Sequence, residues 1–260
     1  MDVLIRSRIQ LPRRTAVGGL AVLATSRTVE AELLDHLDPE DPAAQRSRRD
    51  LQRIHYAMGT LRALRRSIAR LDLSPPRRVL ELGAGDGTLL LRLAQSCATA
   101  WPAVELTLLD QHDLVSPRTR AAYGALGWRV SVLKCDILEW ARAPTPHHDL
   151  CVTALFLHHF VGSDLTKILA AVAARSSAFI ACEPRRDRWT WFASQLVGLI
   201  GANQVTRADA VSSVAAGFRC RELTAVWPDS ANWEIDESFT LPFTHCFSAR
   251  IRESVAGVRG

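Results

Sequence analysis

Lysine is nearly missing from this 260-residue sequence, where Lys134 and Lys167 are the only two among 32 basic residues. Arginine therefore carries almost all of the positive charge behind the net value of +5. A composition biased towards arginine gives that balance with no partner behind it, whereas a nucleic-acid footprint gathers its basic residues on one face. A nucleic-acid partner is not expected on charge alone. The six cysteines, at 97, 135, 151, 182, 220 and 246, form no CxxC pair, so neither a zinc cluster nor a disulfide framework is indicated. Several lie in apolar runs, where a thiol acts as a small hydrophobe. That usage suits a reducing compartment, and a cytoplasmic location is expected.

Long apolar runs are also missing. No stretch reaches the roughly 18 to 20 residues of a membrane span, so no membrane partner is expected. Arg13 and Arg14 before the short apolar run 16–24 loosely mimic an export signal, but the run is at the short end for one, and a leader segment is the simpler reading. There is no internal repeat and no low-complexity tract.

What is present is enough apolar residue, 48%, for one sizeable core. In 43–71 the residues Leu51, Ile54, Met58, Leu61, Leu64, Ile68 and Leu71 recur every three or four positions, which predicts one amphipathic helix with an arginine-rich outer face. Pro75 and Pro76 end it. From Arg78 onward short apolar runs alternate with helical patterns, the signature of a mostly parallel sheet. Strands are expected at 78–82, 104–109, 129–135, 149–156, 177–183, 218–227 and 240–249, with helices at 87–97, 116–126, 163–175, 188–200 and 206–216. The last two strands are joined without a clear helix, which allows the final one to run antiparallel.

The most informative stretch is "VLELGAGDG", residues 79–87. A strand ends at Gly83, the chain turns over Gly83, Ala84 and Gly85, and a helix begins after Gly87. Glycine suits such a turn because it adopts unusual backbone angles and lets a ligand approach bare backbone, and open α/β sheets bind ligands at this edge. The nucleoside-triphosphate loop requires a Gly-Lys-Ser/Thr ending that is absent here. The dinucleotide fingerprint needs its third glycine one position later, where Thr88 stands. Glu81 completes an E-x-G-x-G-x-G pattern. The second strand ends in Asp110, 27 residues past Gly83 and followed by Gln111, where a carboxylate can accept from ribose hydroxyls. The third ends at Asp136 and Ile137, suited to an adenine amino group and ring. The fourth delivers 155–159, beginning with Leu155, beside the glycine turn.

Over 78–250 the sequence resembles the class I S-adenosylmethionine-dependent methyltransferases, through "VLELGAGDG", "LLD", "CDILEW" and "ALFLHHF". The "LHHF" ending is similar to the small-molecule branch that includes quinone-biosynthesis enzymes. The resemblance implies a Rossmann-like α/β fold: a seven-stranded sheet with its last strand antiparallel, helices on both faces and an N-terminal helical lid. It divides the chain into a leader and lid over 1–76 and an S-adenosylmethionine-binding domain over 77–260. It implies S-adenosylmethionine as cofactor, held by Glu81, Gly83, Ala84, Gly85, Gly87, Asp110, Gln111, Asp136, Ile137 and Leu155. The Asn/Asp-Pro-Pro-Tyr/Phe motif of enzymes that methylate exocyclic nitrogens is replaced by Leu-Phe-Leu-His-His, which counts against such acceptors; with the helical lid, the expectation is methyl transfer to oxygen, or alternatively carbon, of a small hydrophobic, phenolic or polyketide-like acceptor.

His158 and His159 are the expected proton acceptors or hydroxyl-orienting groups. Side chains of neighbouring strand residues point to opposite faces, so one of the two is expected to act. Glu183 and Arg185, with Arg186, are candidate substrate contacts, and Trp189, Trp191 and Phe192 candidate walls of an aromatic pocket. No metal-ligand spacing is apparent. An RNA or protein methyltransferase docking through the basic helix, an NAD-dependent oxidoreductase and a silent binding module rank behind this reading. The apolar edge of the N-terminal helix is open to cover by a second copy, as a homodimer, or by intramolecular packing alike.

Overall fold

The computed structural model describes residues 27–252 apart from 39 and 145, so the leader and its export-like run lie outside the described residues. In chain order the helices and strands are α1 (Pro42–Met58), α2 (Thr60–Leu71), β1 (Arg78–Leu82), α3 (Thr88–Cys97), β2 (Glu105–Asp110), α4 (Pro117–Ala125), β3 (Arg129–Lys134), α5 (Ile137–Arg142), β4 (His148–Ala154), α6 (Gly162–Arg175), β5 (Ser176–Pro184), α7 (Arg188–Gln195), α8 (Gln204–Ala216), α9 (Glu222–Val226), β6 (Trp233–Thr240) and β7 (Thr244–Ile251). The strands form one seven-stranded sheet in the order β3-β2-β1-β4-β5-β7-β6. Strands β1 to β5 run parallel, and β7 runs antiparallel to both β5 and β6.

Alternation along each strand feeds two cores. Val79, Leu106 and Leu108 face a cluster completed by Leu64, Leu90 and Tyr123, from α2, α3 and α4. Leu80, Leu82 and Leu109 face a second cluster completed by Trp140, Ile168 and Leu223, from α5, α6 and α9. Parallel strands buried on both faces are rich in apolar residues, which is why β1 and β4 are legible as largely apolar runs, with Glu81 the buried acid within β1.

The structure departs from the expected elements in three places. The single helix over 43–71 is two, because Gly59 adopts φ 68° between Met58 and Thr60 and ends α1. Its second half, α2, buries Ala63 and Leu64 completely in the sheet's own core, so only α1 is free to act as a lid. The strand expected at 218–227 is largely α9, and the loop expected before the last strand is β6. The β6–β7 pair is a hairpin, which is how β7 reverses direction without a crossover helix.

Candidate functional site

A cavity of about 880 Å³ opens at the carboxyl ends of β1, β2 and β4, roofed by α1, the 197–200 turn and α8. At its sheet end lies the glycine turn. Gly83 has φ 67°, and a Cβ there would fall 2.3 Å from Cδ2 of Phe156. At Gly85, φ 55°, a Cβ would meet nothing within 4 Å, so bare backbone faces open space. The Ala84 amide donates to the Leu109 carbonyl (3.0 Å) and the Gly85 amide to Asp110 Oδ2 (2.9 Å), tying the turn to the end of β2. Asp110 Oδ1 accepts from the His112 amide (3.0 Å). Each carboxylate oxygen accepts more than one hydrogen bond, so Asp110 retains capacity towards the cavity it lines.

Glu81 sits below the turn, buried, lining the cavity, with Oε2 lacking any hydrogen-bond partner. Burial, then the charges of Asp86 and Asp110, hold its carboxyl well above the usual range. Three acids thus crowd one end of the cavity. Asp86 is engaged by Thr88 and by Gln52 of α1, whose Nε2 donates to Oδ2 at 2.6 Å.

At the end of β4 the chain turns through Leu155, φ 53°, into a single helical turn, Leu157–His159. Glu183, fully buried at the end of β5, accepts from the amides of Phe156 and Leu157 and from Nδ1 of His158 (2.8 Å). His158 Nε2 faces Glu32 Oε1 at 3.4 Å, and Ser213 donates to the same oxygen. Burial opposes charge on the His158 ring, but the hydrogen bonds and charges of Glu183 and Glu32 outweigh it and raise its pKa to about 9. Both carboxylates are in turn held below their ordinary range against the cost of burial, chiefly by His158. At neutral pH His158 is therefore an imidazolium whose two N–H groups point at carboxylates, with no lone pair to accept a proton. The His159 ring lies against it, centroids 4.3 Å apart and tilted by 32°. Ligand-type atoms of Glu32, His158 and His159 lie within 4.8 Å of one another, a grouping with no trace in sequence spacing because Glu32 is 126 residues from His158.

Several expected residues are placed otherwise. The two histidines do not face opposite ways, because the strand has already ended and a helical turn brings both to the cavity wall. Asp136 caps α5 through the amides of Leu138 (2.7 Å) and Glu139 (3.2 Å) and receives Gln111 Nε2 at 3.4 Å; its neighbours Cys135 and Ile137, not Asp136, line the cavity. Gly87 is required by packing, since a Cβ would fall 2.9 Å from Leu108 Cδ1, and it does not line the cavity. Glu183 holds the 156–158 turn from beneath rather than facing the cavity. Arg185 lies outside it, paired with Asp187 at 2.5 Å and stacked on Phe239. Trp189 and Phe192 are 79% and 58% exposed and line no part of it. Glu81, Gly83, Ala84, Gly85, Asp110, Gln111, Ile137, Leu155, His158 and His159 do converge on the one cavity.

Sequence reading did not single out Glu32, Gln52 or His55. His55, on α1, lines the cavity with Nδ1 buried and unpartnered, and burial pushes its pKa down to about 4. Its spacing from Leu51 and Met58 puts it on the helix's inward stripe, the one available signal.

The chain is similar to several known proteins. Residues 79–176 match the family model described as "Methyltransferase domain". Over 146 residues the chain is 30% identical to acetylserotonin O-methyltransferase of Mus musculus molossinus and 29% to that of Mus musculus, covering 52% of this chain and 36% of each relative. The chain thus matches little more than a third of the length of these curated relatives. Among solved structures, the plantazolicin methyltransferase BpumL, in complex with a monoazolic desmethylPZN analog and SAH, superposes with TM-score 0.59 at 13% identity, over 82% of this chain and 91% of that one. The mitomycin 7-O-methyltransferase MmcR gives 0.53 at 18% identity, over 84% and 60%. An O-methyltransferase family protein from Burkholderia thailandensis gives 0.54 at 15%, over 90% and 68%.

Proposed function

We propose that this chain, which has the class I methyltransferase fold and carries a methyltransferase domain over 79–176, transfers the methyl group of S-adenosylmethionine to an oxygen of a small hydrophobic metabolite. One observation carries the reading. A single cavity joins an open glycine turn crowded by carboxylates to an apolar chamber under α1, lined by Leu51, Ile54, Met58, Phe160 and Val197.

The polar end fits the cofactor's chemistry. Its amino group and sulfonium are cationic, and Glu81 offers an unpartnered, buried carboxyl whose charged form lacks only a nearby cation. Gly85 leaves room for close approach, Asp110 keeps accepting capacity for ribose hydroxyls, and Ile137 with Cys135 gives the ring an apolar wall. When bound, S-adenosylmethionine supplies an electrophilic methyl carbon already activated by its sulfonium.

The protein's part is positioning and proton removal. Holding an acceptor oxygen in line with a fixed electrophile recovers much of the barrier as prepaid orientational entropy. His159 takes the acceptor's proton, because His158 beside it is already charged on both nitrogens. His158 and Glu183 are positioning residues, fixing the turn that carries His159. Glu32, drawn to the same point from the N-terminal segment, orients the pair and closes the site from solvent. The BpumL and MmcR folds, and the acetylserotonin enzymes, support small acceptors over macromolecules. The exposed arginines of α1 and α2, including Arg46, Arg49, Arg62 and Arg66, form a solvated outer face.

Calorimetric titration with S-adenosylhomocysteine tests the cofactor reading, with NAD and Asp110→Ala as controls. Micromolar binding that weakens in Asp110→Ala supports it, and no binding, or a preference for NAD, overturns it. A panel of phenols, alcohols and amines, assayed for methyl transfer, then tests the acceptor class.

A further inference from the structure

A second pocket, of about 660 Å³, lies beyond the end of β5 and shares no lining residue with the large cavity. Its wall carries five arginines, Arg185, Arg186, Arg188, Arg219 and Arg221, from two separate segments of the chain. Arg186 is the informative one. Its side chain is wholly buried, Nη2 pairs with Glu222, and Nε and Nη1 have no hydrogen-bond partner. A buried guanidinium with donors unmet is costly.

The acids nearby are already committed. Asp187 accepts from the Thr190 amide and pairs with Arg185. Glu237 accepts from the amides of Leu223 and Thr224, from the Thr224 hydroxyl and from His245 Nε2. Glu222 takes Arg186 and the Arg219 amide. Arg188 and Arg221 are exposed, and neither has an acidic partner among the described residues. The pocket therefore has two exposed guanidinium forks, Arg188 and Arg221, without acidic partners beside the half-satisfied Arg186 in its wall.

We propose that this pocket is a binding site for a phosphate-type oxyanion. Guanidinium forks match the spacing of phosphate oxygens and bind them in pairs. Residues 189–218 separate the two segments in sequence, and the fold gathers 185–188 and 219–221 around one space. Two sources present the same group. One is a soluble phosphorylated ligand. The other is a phospholipid headgroup, since Trp189, Phe192 and Leu199 are exposed on the adjoining α7 and the turn after it.

The test uses the full chain and the exposed pair Arg188→Ala/Arg221→Ala, which leaves the buried Arg186 and the methyl-transfer site untouched. Pyrophosphate and inorganic phosphate are titrated by calorimetry, and vesicles of phosphatidylglycerol or of phosphatidylcholine are sedimented with the protein. Binding of pyrophosphate that weakens roughly tenfold or more in the double variant supports the site with a soluble ligand. Retention by phosphatidylglycerol vesicles alone, lost in the double variant and reduced in Trp189→Ala, supports it with the lipid source. Absence of both, or binding that the double variant leaves unchanged, overturns it. The S-adenosylhomocysteine affinity of the double variant stays at the wild-type value, which separates this result from any failure of the methyl-transfer reading.

Discussion

His158 Nδ1 and Glu183 Oε2 stand 2.8 Å apart in a fully buried contact, and this bond joins the end of β4 to the end of β5 at the wall of the cavity. Because Glu32 holds the other ring nitrogen, the histidine keeps its proton in the folded state. The folded pKa of about 9 exceeds the ordinary 6.5. The folded protein therefore binds more protons than the unfolded one between these values. The resulting stabilisation is whole below about pH 6.5, shrinks as pH rises and is gone above about 9, with an upper size on the order of 3 kcal/mol. Urea unfolding at pH 6 and pH 9.5 measures it. Wild-type stability falls across this window, and His158→Gln flattens the fall; an equal fall in both proteins contradicts the charged ring.

The glycine turn separates two demands on glycine. Gly83→Ala drives a Cβ to 2.3 Å from the Phe156 ring at φ 67°, so the turn or the Phe156 side chain must move. The expected loss is at least about 2 kcal/mol of stability together with ligand binding. Gly85→Ala meets no atom within 4 Å, and its cost is backbone strain of about 1–2 kcal/mol. Thermal melting ranks the two, and S-adenosylhomocysteine titration of Gly85→Ala reads how closely the ligand approaches: affinity falls although the protein stays folded. Unchanged affinity places the ligand elsewhere.

Glu81→Gln removes a carboxyl that burial, Asp86 and Asp110 push upward. An acid with a raised folded pKa favours folding most below its unfolded pKa and loses that contribution as pH rises. The amide is free of this penalty, so Glu81→Gln is as stable as wild type at pH 5 and more stable at pH 8. Its S-adenosylhomocysteine affinity moves the other way and weakens, because the charge facing the ligand's ammonium is gone. A variant that is both less stable at pH 8 and unimpaired in binding would falsify the assignment.

What could be read from sequence follows the burial of each element. Strands β1 and β4 are enclosed on both faces and appear as apolar runs. β6 does not, because Glu234 and Asp236 interrupt it and the inward position at 237 is a carboxylate that binds amides of α9 and His245. Conversely, 218–227 is apolar enough for a strand, yet Leu223 and Trp227 are four apart and bury one helical face. Gly59 splits the N-terminal helix without disturbing its apolar period, so periodicity alone runs through it. The site divides in the same way. Gly83, Asp110 and the His158–His159 pair sit at strand ends fixed by topology, while Glu32 and His55 arrive from the N-terminal segment, and no spacing rule links them to the strands. Arg185 stands just past the end of β5 and lines the second pocket instead of the cavity, a placement that its nearness to Glu183 in sequence does not fix.

Gln52 is the direct link between α1 and the glycine turn, donating to Asp86 Oδ2 at 2.6 Å. Asp86 Oδ1 meanwhile accepts from the amide and hydroxyl of Thr88, so the same side chain fixes the start of α3 and the seat of the helix above it. Gln52→Ala removes one hydrogen bond to a charged group, and S-adenosylhomocysteine affinity is expected to fall by roughly three- to tenfold through loss of the closed arrangement. Gln52→Glu sets a second carboxylate against Asp86 and adds to the charge already crowding Glu81 and Asp110. If the roof and the cradle are coupled, Gln52→Glu is the worse of the two at pH 8. Titration of both variants at that pH decides it: equal affinities would mean that α1 closes the cavity without acting on the glycine turn.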